Sequence, residues 1–164
     1  MTELTMEMTR IEAAHLMGLV GQFLDVLDAS APGDSTDPAV RRLTPDAYPE
    51  DDDASAEFRA MTQSDLLDRR RSDAHAVLAA LAITGADPVA LTEENSLDTV
   101  SLTLSTDDCA SWLRALAALR LVLAERLGIA DEDDHDDDDP RYAIYDWLGY
   151  RLDALIQEID ALPE

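Results

Sequence analysis

The sequence predicts a mainly α-helical protein, a helical bundle of about five helices with a small two-stranded β-ribbon. Three observations carry that expectation. Leucine and other apolar residues recur at steps of three and four through most of the 164 residues. Two short stretches alternate apolar and polar residues instead, and each of them runs straight into a capping-box pair, so that a strand leads directly into a helix. The length suits one domain over 1–164, and 46% hydrophobic residues are enough for a sizeable core.

The first alternating stretch places Leu4, Met6 and Met8 on one strand face and Thr5 and Glu7 on the other. Thr9 and Glu12 then have the spacing of a capping box, and Leu16, Leu19, Val20, Phe23, Leu24 and Leu27 give a helix over about 10–28. Gly18 and Gly21 each weaken that helix by roughly 1 kcal/mol relative to alanine. Two glycines in one helix imply that another backbone packs closely there, so this helix is expected to be central. Residues 29–37 read as a loop. Asp37-Pro38 is a cap with proline at the first helical position, opening a short helix to about Leu43. Residues 44–53, with Pro45, Pro49 and four consecutive acids, form the next break. Helix is expected again from Ala54, divided into about 54–61 and 63–82 because Thr62 and Asp65 can re-cap it.

The opening pattern then returns. Val100, Leu102 and Leu104 alternate with Ser101 and Thr103, Ser105 and Asp108 repeat the capping spacing, and Trp112 to Leu127 mark a helix over about 106–128. A lone strand cannot satisfy its own backbone, so the two strands are expected to pair with each other. Gly128 ends that helix, and 129–140 is a loop containing the acidic run Asp131 to Asp139. After Pro140 the residues Tyr145, Leu148, Leu152, Leu155, Ile159 and Leu162 form a short heptad seam, expected to dock into the domain's own core.

Charge narrows the function classes. Twelve arginines, with no lysine, face 36 acids, for a net charge of −24. Such a surface repels nucleic acid and anionic lipid alike. The absence of lysine rules out Schiff-base chemistry and a Walker lysine, and there is no Gly-rich phosphate loop or nucleophile elbow. The single Cys109 cannot form an internal disulfide. No apolar run reaches membrane-spanning length and the acidic start lacks a signal peptide's basic region, so a soluble cytoplasmic protein is expected.

Four groups remain as candidates for chemistry. The acidic run puts acids and His135 at the odd positions of a calcium-type loop, but Asp136 and Tyr142 stand where the glycine and the bidentate glutamate belong, so a solvated spacer is expected. Glu12 and His15 have the Glu-x-x-His spacing of di-iron bundles, yet the only second match, Glu132 and His135, lies in the acidic run. His75 adjoins Val77 and Leu78 and reads as structural. Cys109 sits in a first helical turn, where the dipole favours a thiolate, but Asp107 and Asp108 oppose it, so a buried inert thiol is expected. The basic cluster Arg69, Arg70 and Arg71 can pair locally, through Asp65 to Arg69 and Asp68 to Arg71. Joined in space by Arg41 and Arg42, it is also a candidate patch for an anion or an acidic partner.

Several segments together resemble an actinobacterial domain-of-unknown-function family, the one numbered twenty-seventeen. They are Gly21-Gln22, Pro45-Asp46-Ala47-Tyr48, Glu57-Phe58-Arg59, Asp65-Leu66, Trp112-Leu113-Arg114-Ala115-Leu116, Leu119-Arg120-Leu121 with Arg126-Leu127-Gly128, and Tyr145-Asp146-Trp147-Leu148-Gly149. Ala117 and Ala118 stand where the family tends to have Asn-Asp, which argues against a catalytic role there. The resemblance implies genes lying near that of ClpS, the adaptor that delivers substrates to the Clp protease, and supplies no activity. Physically, Asp46 can cap a turn, Arg59 and Arg120 can pair with acids across helices, and the Trp147 N–H needs a partner. Tyr48, Arg59, Asp146 and Trp147, with Arg69, Arg70 and Arg71, are the candidate interaction surface.

With no catalytic constellation in view, the first expectation is a non-enzymatic interaction or regulatory protein, linked through the resemblance to Clp-dependent proteolysis. Its partners would be another protein or a second copy of the chain, with no cofactor, no nucleic acid and no membrane. A small metal- or ligand-binding domain, enzymatic or not, using Glu12, His15 and His75 or the acidic run Asp131 to Asp139, is the second. A transcriptional regulator is the third, since a helical domain with a ribbon can resemble a winged helix.

Overall fold

A computed structural model describes residues 2–29, 37–131 and 136–163. Among these, β1 (Glu3–Thr9) leads into α1 (Arg10–Asp28), followed by α2 (Pro38–Leu43) and α3 (Asp52–Ile83). Then come β2 (Thr99–Ser105), α4 (Thr106–Leu127) and α5 (Ala143–Asp160). The mainly helical class with five helices and a two-stranded antiparallel sheet is therefore observed.

The ribbon forms as its alternation dictates. Leu4 faces Leu104, Met6 faces Leu102 and Met8 faces Val100, and all six side chains are buried. A one-residue slip would turn them all into solvent, so burial of this face fixes the register. Both capping boxes are present. The Thr9 hydroxyl accepts from the Glu12 N–H, and the Glu12 carboxylate accepts from the Thr9 N–H. Ser105 and Asp108 repeat the arrangement at the start of α4.

α4, not α1, is the central helix, packing against α2, α3 and α5. Its buried Ala115, Ala118 and Ala124 keep it slender enough for several neighbours, while Trp112, Leu116 and Leu119 fill the space between them. The glycines of α1 do not serve close approach: a side-chain carbon added at Gly18 or Gly21 would meet nothing within 4 Å. Gly149 of α5 is the close approach, with the Arg120 guanidinium lying 3.0 Å from where a Cβ would stand. That lets Arg120 lie across α5 over the Tyr145 ring, at 4.1 Å, and donate to the Tyr145 carbonyl; among the described residues it pairs with no acid.

Other boundaries also shift. α3 is one continuous helix of 32 residues, with no break near residue 62. The Thr62 hydroxyl donates back to the Phe58 carbonyl within the helix and caps nothing. α3 begins two residues inside the expected loop 44–53, because Asp51 caps it through the Ala54 N–H. Pro140–Tyr142 is a 3₁₀ turn, so α5 starts at Ala143. Gly128 ends α4 in the left-handed conformation, φ 74°, as a C-terminal glycine does. The seam of α5 docks internally, with Leu148 and Leu155 buried in the main core. The interior of the expected loop 29–37 and residues 132–135 of the acidic run, including Glu132 and His135, lie outside the described residues.

Candidate functional site

Several cavities among the described residues are lined by polar groups, and in two of them a carboxylate accepts two side-chain hydrogen bonds from another helix. The first lies between α1 and α5. Glu12, His15 and Leu19 share one face of α1 at helical steps, as do Ile144, Trp147 and Arg151 on α5. Glu12, His15, Leu19, Ala143, Ile144 and Trp147 line a cleft of about 300 Å³.

Glu12 holds this cleft together. Its Oε1 accepts from the Trp147 indole N–H at 3.1 Å, and its Oε2 accepts from the Thr9 N–H at 2.9 Å and from Arg151 Nη2 at 2.7 Å. Partial burial pushes the carboxyl up. The hydrogen bonds from Thr9 and Trp147 and the charge of Arg151 outweigh it and hold Glu12 below the ordinary glutamate range. Arg151, with only 17% of its side chain exposed, also donates to the Glu7 carbonyl at 3.0 Å and lies 5.7 Å from the Trp147 ring centre. β1, α1 and α5 are thus clamped at one point, and the Trp147 ring is fixed by its N–H. Ile144 beside it is 48% exposed.

The second cavity, about 400 Å³, lies between α3 and α4 and is lined by Leu66, Arg69, Arg70, Ser72, Asp73 and Arg114. Asp73, only 7% exposed, accepts a bidentate pair from Arg114: Nε to Oδ2 at 2.9 Å and Nη2 to Oδ1 at 2.7 Å. That pairing pushes the Arg114 ionisation further up, so the guanidinium stays charged.

The expected interaction residues are dispersed. Tyr48 and Arg59 sit together at the connection between α2 and α3, where Tyr48 packs edge-on against Phe58 at 6.2 Å and Arg59 pairs with Asp46. Asp46, expected to cap a turn, serves as an ion-pair partner of Arg59. Trp147 faces the first cleft, whereas its neighbour Asp146 lines a different cavity beside Arg120 and Tyr150. The arginine triplet divides too. Arg71 turns to the end of α1, donating to Asp28, to Asp68 and to the Leu27 carbonyl, which supplies the cation that the last turn of α1 lacks. Arg69 and Arg70 face the second cavity, and the expected Asp65–Arg69 pair does not form. Arg41 and Arg42 line a separate cavity with Arg59.

Among the described residues, no group of three or more His, Cys, Asp or Glu is placed to hold one metal ion. His15 and His75 are both exposed. Cys109 is free and buried, and burial followed by the Asp108 charge pushes its thiol up, away from the nucleophilic form. No helix of the described residues is long and apolar enough to cross a membrane.

Sequence reasoning did not single out Asp73, Gln63, Ile144 or Arg151. The stripe Ile144, Trp147, Arg151 was a readable signal, at steps of three and four on the face about 90° round from the seam. Gln63 gave no signal in sequence. It is 2% exposed within α3, and neither its amide nitrogen nor its oxygen has a hydrogen-bond partner.

No curated protein and no solved structure matches the chain significantly. A family model does, and it spans residues 2–159, taking in both strands, α1 to α4, α5 up to its last residue, and the α1–α5 and α3–α4 cavities. The chain belongs to the family described as Domain of unknown function (DUF2017).

Proposed function

We propose that the chain is a non-enzymatic interaction or regulatory protein of the cytoplasm that engages a protein partner through the cleft between α1 and α5. The observation that supports this reading is the Trp147 ring, fixed through its N–H by the charged Glu12–Arg151 clamp, beside the half-exposed Ile144. Aromatic anchors already ordered before binding lose little freedom on association and are the usual centres of protein interfaces. Glu12 is ill suited to acid–base work, because its hydrogen bonds all stabilise the ionised form. A net charge of −24 favours approach by a partner with basic residues around an apolar tip. The gene neighbourhood that the family resemblance implies makes Clp-dependent proteolysis the proposed setting.

The test compares immobilised wild type with the Ile144→Asp variant, presented with cell lysate and with purified Clp adaptor and protease components. The proposal expects an identified partner retained by wild type and released by Ile144→Asp, with unchanged circular dichroism. Retention of the same proteins by both, or of none by either, would overturn it.

A further inference from the structure

We propose that the cavity between α3 and α4 is a binding site for a small oxyanion of the phosphate class, recognised by Arg69, Arg70 and Arg114. The first support is the pairing pattern. On a chain with three acids for each arginine, Arg42, Arg59, Arg71, Arg114, Arg126, Arg141 and Arg151 all find carboxylates. Among the described residues Arg10, Arg41, Arg69, Arg70 and Arg120 find none; Arg10 and Arg120 donate to the Gly85 and Tyr145 carbonyls instead. Arg69 and Arg70, side by side at one cavity, do neither, although α3 carries Asp65 and Asp68 within reach of ordinary helical pairing.

The second support is an orphaned donor. Among the described residues Arg70 Nε is buried with no hydrogen-bond partner; Arg10, Arg59 and Arg151 also leave Nε unpaired, but each bonds through its terminal nitrogens. A donor on a charged group, taken out of water and left unpaired, is costly, and an oxyanion accepting from it would remove that cost. The third is preorganisation. Both Asp73 oxygens are occupied by Arg114, and Arg114 Nη2 also reaches Ser111 Oγ at 3.4 Å, so this guanidinium is held at the rim before any ligand arrives. Three guanidiniums against one carboxylate leave two positive charges around a space of about 400 Å³, with the Ser72 residue also in the lining. Arginine's planar fork suits phosphate oxygens in particular.

The chain's overall negative charge does not forbid this. Screening confines exposed charges to about 8 Å at physiological salt, so a ligand inside the cavity is governed by the guanidiniums that touch it. A small anion fits that balance better than a polyanion, which would extend onto the acidic surface. The separate cavity lined by Arg41, Arg42 and Arg59 is a weaker candidate and a useful control. There Arg59 is committed to Asp46, and Arg42 to Glu125 and the Ile129 carbonyl.

Isothermal titration calorimetry on the full chain at fixed ionic strength tests the proposal. The probes are inorganic phosphate, a phosphoserine peptide and the same peptide unphosphorylated. Wild type and Arg41→Gln are expected to bind phosphate saturably at one site, and Arg69→Gln/Arg70→Gln to bind at least tenfold more weakly. Among the described residues neither the Arg69 nor the Arg70 side chain makes an intramolecular hydrogen bond, so the double variant is expected to keep the wild-type urea midpoint. Arg70→Lys, which keeps the charge but loses the fork, should fall between. Tighter binding of the phosphopeptide than of phosphate would assign the ligand to a phosphorylated protein, and equal binding to free phosphate. Absence of saturable binding to wild type, or full binding by the double variant, would overturn the proposal.

Discussion

Replacing Glu12 with alanine removes three things at once. The Thr9 N–H loses its capping acceptor, the Trp147 indole N–H loses its partner, and Arg151 loses its carboxylate. A capping interaction contributes about 1 kcal/mol, and a neutral side-chain hydrogen bond about another 1 kcal/mol. The charge-assisted bond to the mostly buried Arg151 contributes about 1 kcal/mol once partial exposure is discounted. Because the three share one carboxylate and water can refill part of the gap, the expected loss is about 2–3 kcal/mol. For a domain of this size that corresponds to roughly 4–12 °C in Tm. Urea unfolding followed by far-ultraviolet circular dichroism and tryptophan fluorescence reads the loss directly. Glu12→Gln, which keeps an acceptor but not the charge, should lose about half as much, and a double-mutant cycle with Arg151→Met should show about 1 kcal/mol of coupling. A loss below about 0.5 kcal/mol for Glu12→Ala, or no coupling to Arg151, would refute the clamp.

Asp73→Ala should cost about 1–3 kcal/mol, less than a fully buried pair because Arg114 can reach water, and chemical denaturation would reveal it. A wild-type urea midpoint in that variant would show that the pair is decorative. Gln63→Met, which keeps the volume and removes two unpaired polar atoms, should raise stability by about 1–2 kcal/mol. A lower midpoint would mean that the amide is in fact bonded. The Glu12 carboxyl is held below its ordinary value in the folded state, so its contribution is fully present above about pH 4.3 and is lost as pH falls through the folded value. The stability gap between wild type and Glu12→Gln should therefore be widest at neutral pH and close in acid. A gap that grows on acidification would contradict the sign.

Much of the architecture was legible because it is local. The alternation of Leu4, Met6 and Met8 and the Thr9–Glu12 spacing act over a few residues, and both appear as read. What escaped was set by distant parts of the chain. Glu12 read as a cap and is one, but its roles toward Trp147 and Arg151 depend on α5 arriving more than a hundred residues later. Gly18 and Gly21 suggested close packing from composition alone, whereas small size is used at Gly149 and along the alanines of α4. The arginine triplet looked like one patch because its members are adjacent in sequence. Adjacent residues on a helix point about 100° apart, which sends Arg71 to α1 and leaves Arg69 and Arg70 at the α3–α4 cavity.

The central claim, that the cleft between α1 and α5 is a docking face, is most directly tested through the chain's two indole N–H signals. Trp112 is fully buried in the core, whereas Trp147 donates to Glu12 at the cleft. In ¹⁵N-labelled protein titrated with the partner that wild type retains, the Trp147 signal is predicted to shift at saturation while that of Trp112 stays in place. A saturated complex in which the Trp147 signal does not move would contradict the account.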